Sequence, residues 1–180
     1  MFRFSIILCI ALFSYSCDDL NKLSEELKDL KNNQALMMKK QSEMIGKLTL
    51  LEKKVGISFK NKELLKRSLT HKSYNSDDNN EKLEFLGDRV LGLVIAKTLL
   101  EIFPNDREGS LDKKLASLVN KKKCCEISKK LNLENFIITG NVKSKKNKIE
   151  DKIISDACEA LIGAIYIDQG LSVVKNFILK

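Results

Sequence analysis

From Glu81 to Phe103 the sequence is rich in Leu, Val and Ile, and the only proline of the chain, Pro104, follows at once. Proline lacks an N–H and clashes with the preceding turn, so the pattern predicts one long helix that stops there. A helix this apolar must be covered by other elements, and the neighbouring punctuation is helical too. Asn61 is placed to cap a helix from Lys62 to about His71, with Leu64, Leu65 and Leu69 inward. Residues 76–80 form a polar loop ending in good cap residues, Gly109-Ser110 opens a helix through Val119, and another runs from Lys123 to Leu131. From about Glu150 a further helix carries Ile153, Ile154, Ala157, Ala160, Leu161, Ala164 and Ile165, with Gly170 past its end. Ser172 is expected to cap a last helix. Strand signals are nearly absent, and the expected fold class is all-α.

Composition narrows what such a chain can do. Hydrophobic residues make up 43%, enough for a real core, while eight glycines and one proline exclude collagen-like and Pro-rich classes. Thirty-two basic against 24 acidic side chains leave a formal charge of +8, which suits a polyanionic partner. The charges of residues 1–50 nearly balance, so the excess belongs to the remainder. Five cysteines without a CxxC, and a single histidine, exclude zinc fingers and disulfide scaffolds. Cys124, Cys125 and Cys158 are expected as reduced, small apolar side chains.

The beginning of the chain reads differently. Arg3, the apolar run from Phe4 to Ser16, and Cys17 resemble the leader of an exported lipoprotein, too short to span a bilayer. Leu20, Leu27, Gln34, Gln41, Leu48 and Val55 then recur every seven residues, with Leu23, Leu30, Met37, Met44 and Leu51 between them. This 3-4 spacing is that of a long helix or coiled coil. The expected divisions are a leader over 1–17, a heptad helix over 18–50 and a helical domain over 51–180.

Within that domain, two apolar helices carry acids. Glu81, Glu84 and Asp88 stand at i, i+3 and i+7, on one face of the long helix. Asp156 and Glu159 are i, i+3 neighbours among Ile, Ala and Leu on the later one. A buried carboxylate needs a partner, and no matched Lys or Arg is evident on these faces, although Arg89 and Lys152 are near in sequence. A hard divalent cation with oxygen ligands is the economical partner; solvated helix faces are the alternative.

The residues here become recognisable. Asn80-Glu81-Lys82-Leu83-Glu84-Phe85-Leu86-Gly87-Asp88-Arg89-Val90-Leu91 resembles the signature of the ribonuclease III family. Leu69 to Tyr74 is similar to its preceding motif, and Ile154 to Tyr166 to its second acidic block. The resemblance implies a ribonuclease III-type helical nuclease domain cutting double-stranded RNA with Mg²⁺, Mn²⁺ being able to substitute, to leave 5′-phosphate and 3′-hydroxyl ends. It implies Glu84, Asp88, Asp156 and Glu159 as the metal-binding acids, Glu81 as an accessory acid, and His71 as a structural residue. It also implies a homodimer, for which Phe85 and Leu86 are candidate contacts, with core packing as their alternative. Lys121 to Lys123 and the loop lysines Lys143, Lys145, Lys146 and Lys148 are candidate phosphate contacts.

An RNA-processing enzyme of this kind, acting on rRNA and mRNA, is expected in the cytoplasm. Anchoring to a membrane through Cys17 is the alternative if the leader is used. Bacterial members usually carry a double-stranded-RNA-binding domain after the nuclease; here Lys180 falls within the last expected nuclease helix, so C-terminal truncation is expected. The competing function is a non-catalytic, RNA-binding or ribosome-assembly relative, which would be marked by loss of the metal acids.

Overall fold

The computed structural model describes residues 17–140 and 149–180. The expected leader and the basic loop with Lys143 to Lys148 lie outside the described residues, apart from Cys17 itself. The chain divides into two compact units, Met1–Gly46 and Lys47–Lys180. In the first, the described element is the helix α1, Cys17–Val55, which continues into the second. Its seam residues Leu20, Leu23, Leu27, Leu30 and Met37 are exposed, whereas Leu48, Leu51 and Val55 are buried in the second unit. No described helix is long and apolar enough to cross a membrane.

Gly56 ends α1 with φ +75°, and the N–H groups of Gly56 and Ile57 both return to the Glu52 carbonyl. The Glu52 side chain is buried; it accepts the Phe59 N–H at 2.6 Å and pairs with Lys62. The next helix, α2 (Lys62–Leu69), is capped by Asn61, whose Oδ1 accepts from Glu63 N at 3.0 Å and Leu64 N at 3.2 Å. It is shorter than the spacing predicts because Thr70 turns extended and bridges Ile138, the single isolated β-bridge among the described residues.

Helix α3 (Glu81–Ile102) follows the expected bounds closely, and Pro104 stands just beyond it. Asn80 precedes it but makes no side-chain cap; Asn79 Oδ1 accepts the Glu81 N–H at 3.1 Å instead. Helix α4 spans Glu108–Leu118 and α5 spans Lys121–Lys130. Because Asn120 Oδ1 accepts the Lys123 N–H at 2.9 Å, α5 starts before the expected Lys123. Lys121, Lys122 and Lys123 thus occupy its first turn, where the helix dipole adds to their positive potential.

Helix α6 (Asp151–Gln169) is the hub. Every residue from Ile153 to Ile165 is buried, and α2, α3, α5 and the last helix α7 (Leu171–Leu179) all pack against it. Ser172 lies inside α7 rather than capping it, since Gly170, at φ +83°, already makes the turn between the two helices. At the far end of α6 the Asp168 carboxylate accepts the Lys60 and Asn61 N–H groups at 2.8 and 2.9 Å. The architecture is an all-α bundle around one buried helix, and Cys124, Cys125 and Cys158 are free thiols within it, as expected.

Candidate active site

The acids are brought together by a crossing of α3 and α6 with no side chain between the backbones. A β-carbon on Gly87 would sit 1.7 Å from the Glu159 carbonyl oxygen, and one on Gly163 would sit 2.3 Å from that of Leu83. Gly92, the other glycine of α3, has nothing within 4 Å and plays no such part.

At this crossing Glu84 from α3 meets Asp156 and Glu159 from α6. One carboxylate oxygen of each lies within 4.8 Å of the others. Glu84 is half-buried, Asp156 and Glu159 fully so. Burial, then the charges of Asp88, Glu84 and Asp156, push the Glu159 carboxyl up to about 7. Burial, then the charge of Asp156, raises Glu84 as well. Asp156 Oδ1 is buried without a hydrogen-bond partner among the described residues.

The sequence suggests no cation facing these acids, and the structure corrects that. Lys152 Nζ donates to Asp156 Oδ2 at 2.8 Å, and Lys121 Nζ lies 3.5 Å from Asp156 Oδ1. The i, i+4 spacing of Lys152 and Asp156 is a readable signal for the first pair. Lys121 comes from another helix, and nothing in the linear order brings it there.

The other expected site residues fall around this trio. Asp88 lies outside the closest group and pairs with Arg89 Nη1 at 2.8 Å, yet its charge is the largest electrostatic influence on Glu159 after burial. Arg89 also stacks over the Phe85 ring, 4.1 Å from its centroid. Glu81 stands apart, exposed and paired with Lys72 at 2.8 Å, which holds its carboxyl below the usual range. The His71 ring accepts from the Ser73 N–H through Nδ1 at 3.2 Å, and its backbone N–H donates to Ile138 O at 2.9 Å. Burial and Lys72 lower its pKa. These contacts tie the loop before α3 to the segment around Ile138. Phe85 is 64% exposed and Leu86 partly so, which removes ordinary core packing as the account of Phe85.

Three close acids with hard oxygen donors, one buried donor oxygen without a hydrogen bond and two carboxyls raised by burial and by their neighbours' charge fit a divalent cation. Without a cation, the arrangement must be met by protonation or by the lysines.

Residues 61–180 match the family model described as Ribonuclease-III-like. The chain is 61% identical over 130 residues to Ribonuclease 3 of Pelagibacter ubique, covering 72% of this chain and 59% of that protein. It is 45% identical over 130 residues to Ribonuclease 3 of a Nitratiruptor species, covering 72% and 58%. The chain thus spans under two thirds of the length of these relatives. Among solved structures, the nuclease domain of ribonuclease III from Campylobacter jejuni superimposes with a TM-score of 0.69. It is 44% identical, with 72% of this chain and 91% of that one covered. That work concerns flexibility in a region involved in dimer formation. Dicer from Pichia stipitis gives a TM-score of 0.53 at 28% identity, covering 67% and 53%.

Proposed function

The chain belongs to the ribonuclease III family, and from that premise we propose that it is a metal-dependent endoribonuclease. It cuts double-stranded RNA to 5′-phosphate and 3′-hydroxyl ends, in the processing of rRNA and mRNA. The observation that carries this reading is the convergence of Glu84, Asp156 and Glu159 where two glycines let α3 and α6 touch. Those three acids, with Asp88 beside them, would hold Mg²⁺ or Mn²⁺. When bound, such an ion supplies an activated water and neutralises charge on the leaving oxygen.

The chain's own residues do the rest. In the metal-free protein burial and the neighbouring acids raise Glu159 to about 7, so it is only partly ionised at neutral pH, and Lys121 and Lys152 balance Asp156. A cation held by the acids would supply the charge that Lys121 and Lys152 now give Asp156, and so would free these lysines for RNA phosphates. Lys121 to Lys123 at the start of α5 offer further phosphate contacts, which fix position and affinity without reading bases. A-form RNA is recognised chiefly by shape and 2′-hydroxyls. Glu81, outside the trio, serves as an accessory acid near the RNA.

Two copies join through the exposed side of α3, where Phe85, Leu93 and Leu100 lie open, so that two sites face one duplex. We assign residues 1–17, 18–50 and 51–180 to leader, heptad helix and nuclease, and place the activity in the cytoplasm. A membrane-anchored form would require the leader and Cys17.

The test incubates the full chain with duplex RNA in Mg²⁺ and in chelator. Cleavage that needs Mg²⁺, and is lost in Glu159→Ala while the duplex still binds, is the expected result. Equal cleavage by Glu159→Ala overturns the site. Binding without cleavage in any divalent cation favours the non-catalytic RNA-binding relative instead.

A further inference from the structure

The seam of α1 divides sharply. From Lys47 onward its members Leu48, Leu51 and Val55 are used up inside the second unit. Before that, Leu20, Leu23, Leu27 and Leu30 are each more than half exposed, and Met37 is 71% exposed. The helix is the only described element of its unit, so among the described residues nothing there covers this row of large apolar side chains. A shallow groove runs between Leu20, Leu23, Leu27 and Leu30. An exposed apolar row of this length, at heptad spacing, marks an interaction surface.

The residues also specify its occupant. With Leu20, Leu27, Gln34 and Gln41 as a positions, and Leu23, Leu30, Met37 and Met44 as d positions, every d residue is apolar. An antiparallel pairing sets a against d, and so buries each glutamine against Leu or Met. A parallel pairing shifted by one heptad sets a glutamine against a leucine. Only the parallel, unshifted pairing places Gln34 against the partner's Gln34 and Gln41 against the partner's Gln41, where each amide finds another amide. In that register Glu26, at g, reaches the partner's Lys31, at e, on both sides of the axis. Along the segment no g–e pair brings like charges together: Asp19 faces the partner's Ser24, Asn33 the partner's Met38, and Lys40 the partner's Ile45.

We propose that residues 20–44 of α1 form a parallel, in-register coiled coil with a second copy of this chain. These residues are not those of the exposed side of α3, so the heptad helix supplies a second means of joining two copies. Joining them through α1 raises the local concentration of one nuclease unit at the other.

The experiment uses the full chain with Cys9→Ser and Cys17→Ser, which leaves the three buried cysteines in place. Leu30→Cys, at d, is compared with Lys28→Cys, at b, under mild oxidation by copper phenanthroline. Leu30→Cys is expected to give disulfide-linked dimer at least ten times faster, because the two d positions meet only in this register. Adding Leu23→Ser and Leu27→Ser should abolish that advantage. Equal rates at the two positions, or no linkage at Leu30→Cys, overturn the proposal; an antiparallel coil gives the second outcome. Linkage is read whether or not the chain cleaves RNA, so failure here is distinct from failure of the nuclease reading.

Discussion

The carbonyl oxygen of Glu159 occupies the space beside Gly87 that a β-carbon would need, 1.7 Å from the ideal position. The acid and the glycine are therefore one structural unit: the backbone that presents the carboxylate is the backbone that α3 rests on.

Gly87→Ala must push α3 and α6 apart. The expected loss is about 3 kcal/mol or more, at the upper end of overpacking costs, read as a lower urea midpoint. Gly92→Ala, in open space on the same helix, is the control. It should be neutral or stabilising by roughly 0.5–1 kcal/mol. Equal destabilisation by both substitutions would contradict the crossing.

Metal-free stability should fall as pH rises from about 4.5 to about 7. Glu159 is raised from 4.5 to about 7 in the folded chain, chiefly by burial and then by Asp88. Between those values the unfolded chain has released a proton that the folded state retains, so stability falls with pH and levels off once pH passes the folded value. Glu84 is shifted in the same direction. Thermal midpoints in chelator should show this slope, Glu159→Gln should flatten it, and added Mg²⁺ should raise the midpoint most at the upper pH. A slope unchanged in Glu159→Gln would rule out this residue as its source.

Lys152→Ala removes the cation that competes for Asp156. Divalent-cation affinity, measured by titration calorimetry, should rise by up to about fivefold, the scale of a partly exposed ion pair. Affinity for duplex RNA should fall, with the salt slope reduced by about one. A loss of cation affinity would mean that Lys152 supports the acids rather than opposing an ion.

Leu161→Ala, on the fully buried side of α6, should cost roughly 2–5 kcal/mol in chemical denaturation, as a large-to-small change in a packed core does. A change below 1 kcal/mol would show that α6 is not the centre of the bundle.

Much of this could be read from the sequence, for identifiable reasons. Pro104 ended α3, Asn61 capped α2 and the Ile/Ala/Leu run marked α6, because these signals are local and depend on the backbone. Helix starts were less legible: Asn120 and Gly170 began α5 and α7 earlier than Lys123 and Ser172 suggested, since several residues nearby could cap. The acids on each helix were visible by spacing, but their convergence depended on Gly87 and Gly163 touching opposite backbones, a contact that spacing does not reveal. Lys121 was illegible as an Asp156 neighbour because it arrives through the packing of α5 on α6. Asp88 stood on the right face but turned towards Arg89, a choice that spacing cannot express.

Asp168 gives the last consequence. The helix that offers Asp156 and Glu159 to α3 also clasps, through Asp168, the backbone amides that open α2. Rotating that rod by one residue, about 100° and 1.5 Å, would loosen the clasp and scatter the acids together. One helix therefore serves both as the latch on the start of α2 and as the mount for Asp156 and Glu159.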